Sequence, residues 1–116
     1  MMLSLSHSQI GEWNVIHIVG ELDMATGPQL RQEIVRQVTD GNTHIVIDLE
    51  NVDFIDSTGL GILVGGLKRT KSIGGDLCCT GLSDNLEEVF KLTGLDTVLV
   101  NVDLSEDPKT WKQQNE

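Results

Sequence analysis

Ile45-Val46-Ile47-Asp48-Leu49 is a short run dense in β-branched residues, bracketed on both sides by stripes of helical period. Before it, Leu30, Ile34 and Val38 recur at i, i+4 and i+8, behind Gly27-Pro28 and ahead of Gly41. After it, Leu60, Leu63, Val64 and Leu67 make a second face that stops at Gly74-Gly75. A proline in a first helical turn gives up an N–H that has no partner there anyway, and a glycine past the last turn accepts the left-handed conformation of a helix end. A strand with a helix on each side lies parallel to its neighbours, because parallel strands are joined by crossovers. That alternation restricts the fold more than any other feature of the chain.

The remaining elements fit around it. Leu3-Ser4-Leu5-Ser6-His7 alternates with period two, as a half-exposed strand does. Gly11-Glu12 turns the chain into Val15-Ile16-His17-Ile18-Val19, a more buried strand ended by Gly20, and the two are expected to pair. Leu77-Cys78-Cys79-Thr80 is a further strand. Ser83 or Asp84 caps a third helix with the face Leu86, Val89 and Phe90 and the exit Gly94, and Val98-Leu99-Val100 is the last strand. The expected order is β-β-α-β-α-β-α-β, an α/β fold with an antiparallel N-terminal pair and then parallel strands joined by crossover helices. With 116 residues and no repeat, linker or low-complexity stretch, the chain reads as one domain over 1–116. Its body runs to about residue 104, and 105–116 is a polar tail: a short helix with Ser105 as cap and Pro108 early, or a frayed end.

Charge excludes some classes of function. Eighteen acidic residues against eight basic ones give a formal charge of −10, so neither the basic footprint of a nucleic-acid binder nor a polybasic membrane patch is present. The longest apolar run, Gly59 to Leu67, is nine residues with four glycines, where a bilayer span takes about 20. The N-terminal residues lack the basic start and apolar core of a signal peptide. Cys78 and Cys79 are adjacent, so on a strand they face opposite sides and do not bridge. A soluble protein of a reducing cytoplasm is the expectation.

Two segments hold the candidate chemistry. Asn51 to Leu67 contains Asp56-Ser57-Thr58-Gly59-Leu60-Gly61: a strand ending near Leu49, a loop, and a helix starting near Ser57. Ser57 then sits beyond the carboxyl end of a strand, where α/β folds place their sites, and at a helix start with free N–H donors and a positive dipole end. Ser57 or Asp56 would serve equally as a helix cap. Gly59, Gly61, Gly65, Gly66 and Gly74 in or beside one helix cost up to about 1 kcal/mol each against alanine, which close packing or a closely approaching partner would offset. Gly20-Glu21-Leu22-Asp23-Met24-Ala25-Thr26 also joins a strand to a helix, and Asp23 shares the sheet end of Ser57 if the two strands are neighbours.

Together, Gly20-Glu21-Leu22-Asp23 and Asp56-Ser57-Thr58-Gly59-Leu60-Gly61 resemble the STAS-domain anti-sigma factor antagonists of bacteria. The resemblance extends to Ile45-Val46-Ile47-Asp48-Leu49, Gly74-Gly75-Asp76-Leu77 and Phe90-Lys91-Leu92-Thr93-Gly94-Leu95. It implies partner switching in signal transduction and transcription regulation. The unphosphorylated antagonist binds an anti-sigma factor, itself an ATP-binding serine kinase, and frees a sigma factor. The kinase phosphorylates the serine in the position of Ser57, and a serine phosphatase resets it. The implied docking residues are Asp23, Met24, Thr26, Asp56, Thr58, Gly59, Leu60 and Gly61, with no cofactor, metal or catalytic residue. The same fold also serves in signalling scaffolds and transport complexes, so a non-switching adaptor is the alternative.

Enzymatic readings fare worse. Glu21, Asp23, Asp48, Glu50, Asp53 and Asp56 fall near the two loops and invite a metal or acid–base site, but His7, His17 and His44 lie in or beside strands, read as structural or solvent-facing. No base is offered to Ser57, and no Gly-x-x-x-x-Gly-Lys loop would bind a nucleotide. A phospho-aspartate receiver is disfavoured by the two strands before the first helix.

Overall fold

A computed structural model describes residues 3–111 of the chain. Strands β1 (Ser4–Ile10) and β2 (Trp13–Leu22) form a hairpin; helix α1 (Gly27–Thr39), strand β3 (His44–Ile55), helix α2 (Ser57–Lys71), strand β4 (Asp76–Thr80) and helix α3 (Asp84–Thr93) follow. The sheet order is β1-β2-β3-β4, with β1 antiparallel to β2 and the other neighbours parallel. The antiparallel pair, the crossover helices and the third helix are as the sequence implied.

The period-two pattern of the strands divides their side chains between two layers. Ile16, Ile18, Ile45, Ile47, Leu49, Leu77 and Cys79 face the helices and pack on Leu30, Ile34, Leu63, Leu67, Leu86 and Phe90. Trp13, Val15, Val46 and Cys78 face the other way, under Val102 and Trp111. Cys78 and Cys79 are thus buried on opposite faces, both as free thiols.

Three expectations are corrected. First, β2 and β3 are longer than their apolar runs. Gly20 does not end β2; it adopts φ 133° inside it, beside a register shift between Gly20 and Glu21, and pairing resumes at Glu21↔Phe54 and Leu22↔Ile55. The bulges break the alternation that the eye follows, so β3 continues past Leu49 and no loop separates it from α2 beyond Asp56. Second, Val98-Leu99-Val100 is not a strand. A 3-10 turn at Leu95–Thr97 follows Gly94, whose φ of 78° closes α3. Only one bridge to β4 then forms, Cys79↔Asn101, with Cys79 N–H donating to Val100 O at 2.9 Å and Val102 N–H to Cys79 O at 2.8 Å. The N–H groups of Val98 and Leu99 are spent on Leu95 O, at 3.0 and 2.8 Å, which holds 98–99 in the turn and leaves only the stretch around Asn101 to pair with β4.

Third, Ser105 does not cap a terminal helix, and the tail to residue 111 is not frayed. A single 3-10 turn, Pro108–Thr110, is capped by Asp107. Trp111 is buried edge-on against Trp13, ring centroids 5.4 Å apart, and its Nε1–H donates to Asp103 O at 3.1 Å. Residues 112–116 of the expected tail lie outside the described residues.

Candidate functional site

The parallel pairing of Leu22 with Ile55 brings the two candidate segments to one end of the sheet. There Asp56 joins them. Its backbone N–H donates to Leu22 O at 3.2 Å, its Oδ1 accepts Gly59 N–H at 3.0 Å as the α2 cap, and its Oδ2 accepts Met24 N–H at 3.2 Å. The cap of one helix therefore fixes the loop that leads into the other.

That second loop is closed by Asp23 and Thr26. Asp23 Oδ1 accepts from the N–H groups of Ala25 and Thr26 at 2.9 and 3.0 Å, and Gly27 N–H donates to Asp23 O at 2.7 Å. Thr26 Oγ1 accepts Asp23 N–H at 3.0 Å and lies 2.6 Å from Glu21 O, to which it donates. The Thr26 N–H bond, aided by those of the Thr26 hydroxyl and Ala25, holds the Asp23 carboxyl below the ordinary carboxylate range against some desolvation. Asp23 is a carboxylate at neutral pH, and its loop is rigid without α1 having a side-chain cap of its own.

Helix and sheet meet closely at this end. A Cβ on Gly59 would lie 2.7 Å from Leu22 O and 2.9 Å from Leu22 Cγ, so only glycine lets α2 start where it does. Ser57, the first residue of α2, is exposed, whereas Thr58 is half-buried with its methyl toward Gly27 of α1. Ser57, Gly61, Gly65 and Arg69 recur at i+4 and are all exposed, and a Cβ on Gly61 or Gly65 would meet nothing within 4 Å. Met24 is 75% exposed and Phe54 48% exposed, which leaves large apolar side chains in water beside the loops. Of the residues named from the sequence, Asp23, Met24, Asp56, Ser57, Thr58, Leu60 and Gly61 have exposed or half-buried surface at this end; Thr26 and Gly59 are buried and shape it from beneath.

The six carboxylates do not converge. Asp48 lies on the sheet face away from the helices, against His17 Nδ1 at 2.6 Å, and no group of three or more His, Cys, Asp or Glu among the described residues is placed to hold a metal ion. His7 pairs with Glu33 at 3.0 Å and His44 packs edge-on against Trp13. Phe54, exposed at this end, was not among the candidate residues. The signal that could have found it is an aromatic residue two before the capping aspartate in a chain with so few.

Comparison with known proteins agrees with this fold. The profile of the STAS domain matches residues 6–108. The anti-sigma-B factor antagonist of Staphylococcus aureus (strain NCTC 8325 / PS 47) is 36% identical over 95 residues, 82% of this chain and 88% of that one. Among solved structures, an anti-sigma factor antagonist from Mycobacterium paratuberculosis superposes with a TM-score of 0.76 at 29% identity, over 85% of this chain and 84% of that one. The Bacillus cell fate determinant SpoIIAA in its phosphorylated form does so with a TM-score of 0.66 at 25% identity, over 86% and 92%. With a family match over nearly all of its described residues and this fold beneath it, the chain belongs to the STAS domain family.

Proposed function

We propose that the chain is an anti-sigma factor antagonist, a regulatory protein and not an enzyme, which binds a cognate anti-sigma factor when Ser57 is unmodified and releases it when Ser57 is phosphorylated. The anti-sigma factor is the ATP-dependent serine kinase, a serine phosphatase resets the cycle, and both act in the cytoplasm. No nucleic acid or membrane is contacted directly. No helix among the described residues is long and apolar enough to cross a membrane. The docking surface is the joined loop pair, Asp23 and Met24 with Asp56, Thr58, Leu60 and Gly61, held in shape by Thr26 and Gly59.

The observation that carries the reading is the exposure of Ser57 on a helix start already fixed by Asp56. Ser57 Oγ reaches a kinase without any movement of the fold; Thr58 does not share that exposure. The names of the relatives support the antagonist role, and SpoIIAA has a phosphorylated form. A phosphoserine adds about −1.5 to −2 charge. The helix N-terminus favours it by about 0.3–1 kcal/mol, which Asp23 and Asp56 partly offset, so the fold changes little. Across an interface a like-charge contact costs several kcal/mol, and about 1.4 kcal/mol is tenfold in affinity. Local charge is enough to expel a partner.

The test is a capture from the native organism's lysate on wild-type and Ser57→Asp baits in parallel. An ATP-binding serine kinase retained by wild type and lost by Ser57→Asp supports the switch. Equal retention of scaffold or transport proteins by both baits contradicts it and leaves Ser57 a helix-start residue of an adaptor.

A further inference from the structure

On the sheet face away from the helices, three neighbouring strands bring together Ser8 of β1, His17 of β2 and Asp48 of β3. Ser8 Oγ is 2.7 Å from His17 Nε2, and His17 Nδ1 is 2.6 Å from Asp48 Oδ2. Asp48 is fixed in turn: its Oδ1 accepts Glu50 N–H at 3.0 Å, and the backbone of Gly81 packs so tightly there that a Cβ would come within 3.0 Å of the same oxygen. His17 and Asp48 are direct partners in the parallel register, the last pair before the bulge between His17 and Val19. In the neutral imidazole the carboxylate can only accept, which puts the proton on Nδ1 and leaves Nε2 to accept from the Ser8 hydroxyl. A nucleophile bonded to a base, and the base oriented by a carboxylate, is the arrangement that activates a serine. Nothing in the partner-switching role uses it. Ser8 is exposed, on the edge strand.

We propose that Ser8 is an activated nucleophile that accepts the acyl group of small acyl donors with a good leaving group. Ser8 Oγ attacks the carbonyl carbon of an ester as its proton passes to His17 Nε2, and Asp48 stabilises the imidazolium. The tetrahedral intermediate collapses by breaking the bond between carbonyl carbon and leaving oxygen, which takes the proton from Nε2. The products are O-acyl-Ser8 and the alcohol, with no change of oxidation state. The open face sets no limit on the leaving group, so the class is defined by reactivity and small acyl size.

The strand supplies its own controls, because Ser4 and Ser6 are exposed and alternate with the same period as Ser8. The full chain is incubated with p-nitrophenyl acetate, and acetylation is read residue by residue by peptide mass spectrometry. Base assistance of this kind accelerates a transfer about 10²-fold or more, so Ser8 is acetylated about 100 times faster than Ser4 or Ser6. His17→Gln and Asp48→Asn, with folding checked by circular dichroism, lower the Ser8 rate at least about tenfold. Acetylation spread evenly over Ser4, Ser6 and Ser8, its absence from Ser8, or a Ser8 rate unaltered in folded His17→Gln would overturn the proposal. The comparison among the three serines of the wild-type chain stands even if a variant fails to fold.

Discussion

Asp56 has two jobs, and a single substitution separates them from the chemistry of Ser57. Its two carboxylate oxygens cap α2 through Gly59 N–H and tether the other loop through Met24 N–H. Asp56→Ala is expected to lower stability by about 1–2 kcal/mol, from the cap and the released N–H groups, in chemical denaturation. Asp56→Asn keeps an oxygen for the cap and should lose much less. Gly59→Ala is predicted to cost about 1–3 kcal/mol, since the new methyl meets Leu22 O and neither backbone can yield freely. A Gly59→Ala protein as stable as wild type would mean that α2 starts further from β2 than the structure has it. At this scale the sequence was partly legible. Acidic and hydroxyl residues before helical stripes named the caps, and the structure decides between alternatives: Asp56 and not Ser57 for α2, Ser83 and not Asp84 for α3, with Ser83 Oγ accepting Leu86 N–H at 3.2 Å. The Ser8–His17–Asp48 chain was not legible, because it depends on the register of three strands, and no local pattern encodes register between residues this far apart.

Helix α2 shows why glycines cannot be interpreted from sequence alone. Gly66 sits where a Cβ would come 3.0 Å from Leu77 and 3.1 Å from Ile34, while Gly61 and Gly65 face open space on the stripe that starts at Ser57. The sign of a substitution therefore reverses within one helix. Gly66→Ala is expected to destabilise, and Gly61→Ala to stabilise by about 0.5–1 kcal/mol through helix propensity. If the partner lies against this face, the same Gly61→Ala protein binds it more weakly. Thermal melting and partner titration on one sample separate the two effects; stabilisation with unaltered binding would remove Gly61 from the docking surface. The strand ends were hidden for a related reason. Bulges beside His17 and Gly20 interrupt the alternation just where β2 and β3 carry the two loops to their shared end. The C-terminal stretch misled in the opposite direction: Val98-Leu99-Val100 has strand composition, but the turn after α3 takes the N–H groups of Val98 and Leu99 to Leu95 O, so only Asn101 bridges to β4.

For the whole molecule, one sheet with a core on each face makes stability depend on the C-terminal wrap as well as on the helices. Trp111 closes the layer away from the helices, and Trp111→Ala is expected to cost about 3 kcal/mol in urea unfolding. Between the layers lie the two buried thiols. Burial pushes Cys79 up to about 12 and Cys78 higher still, whereas an unfolded thiol ionises near about 8.5. Above that pH the unfolded chain gives up protons that the folded chain keeps. Stability is thus whole at neutral pH and declines from about pH 9 toward the folded values, by up to about 1.4 kcal/mol per pH unit for each thiol. The chain has no tyrosine to blur the onset, and Cys78→Ala should flatten the decline. None of this alkaline behaviour touches the proposed switch, which would rest on surface charge at one end of the sheet. The switch is tested most directly by a titration of the purified cognate anti-sigma factor with the chain before and after phosphorylation at Ser57. The phosphorylated chain is expected to bind at least about a hundredfold more weakly, equivalent to about 2.7 kcal/mol, with its melting temperature nearly unchanged. Equal affinity of the two forms, with Ser57 shown to carry the phosphate, would contradict it.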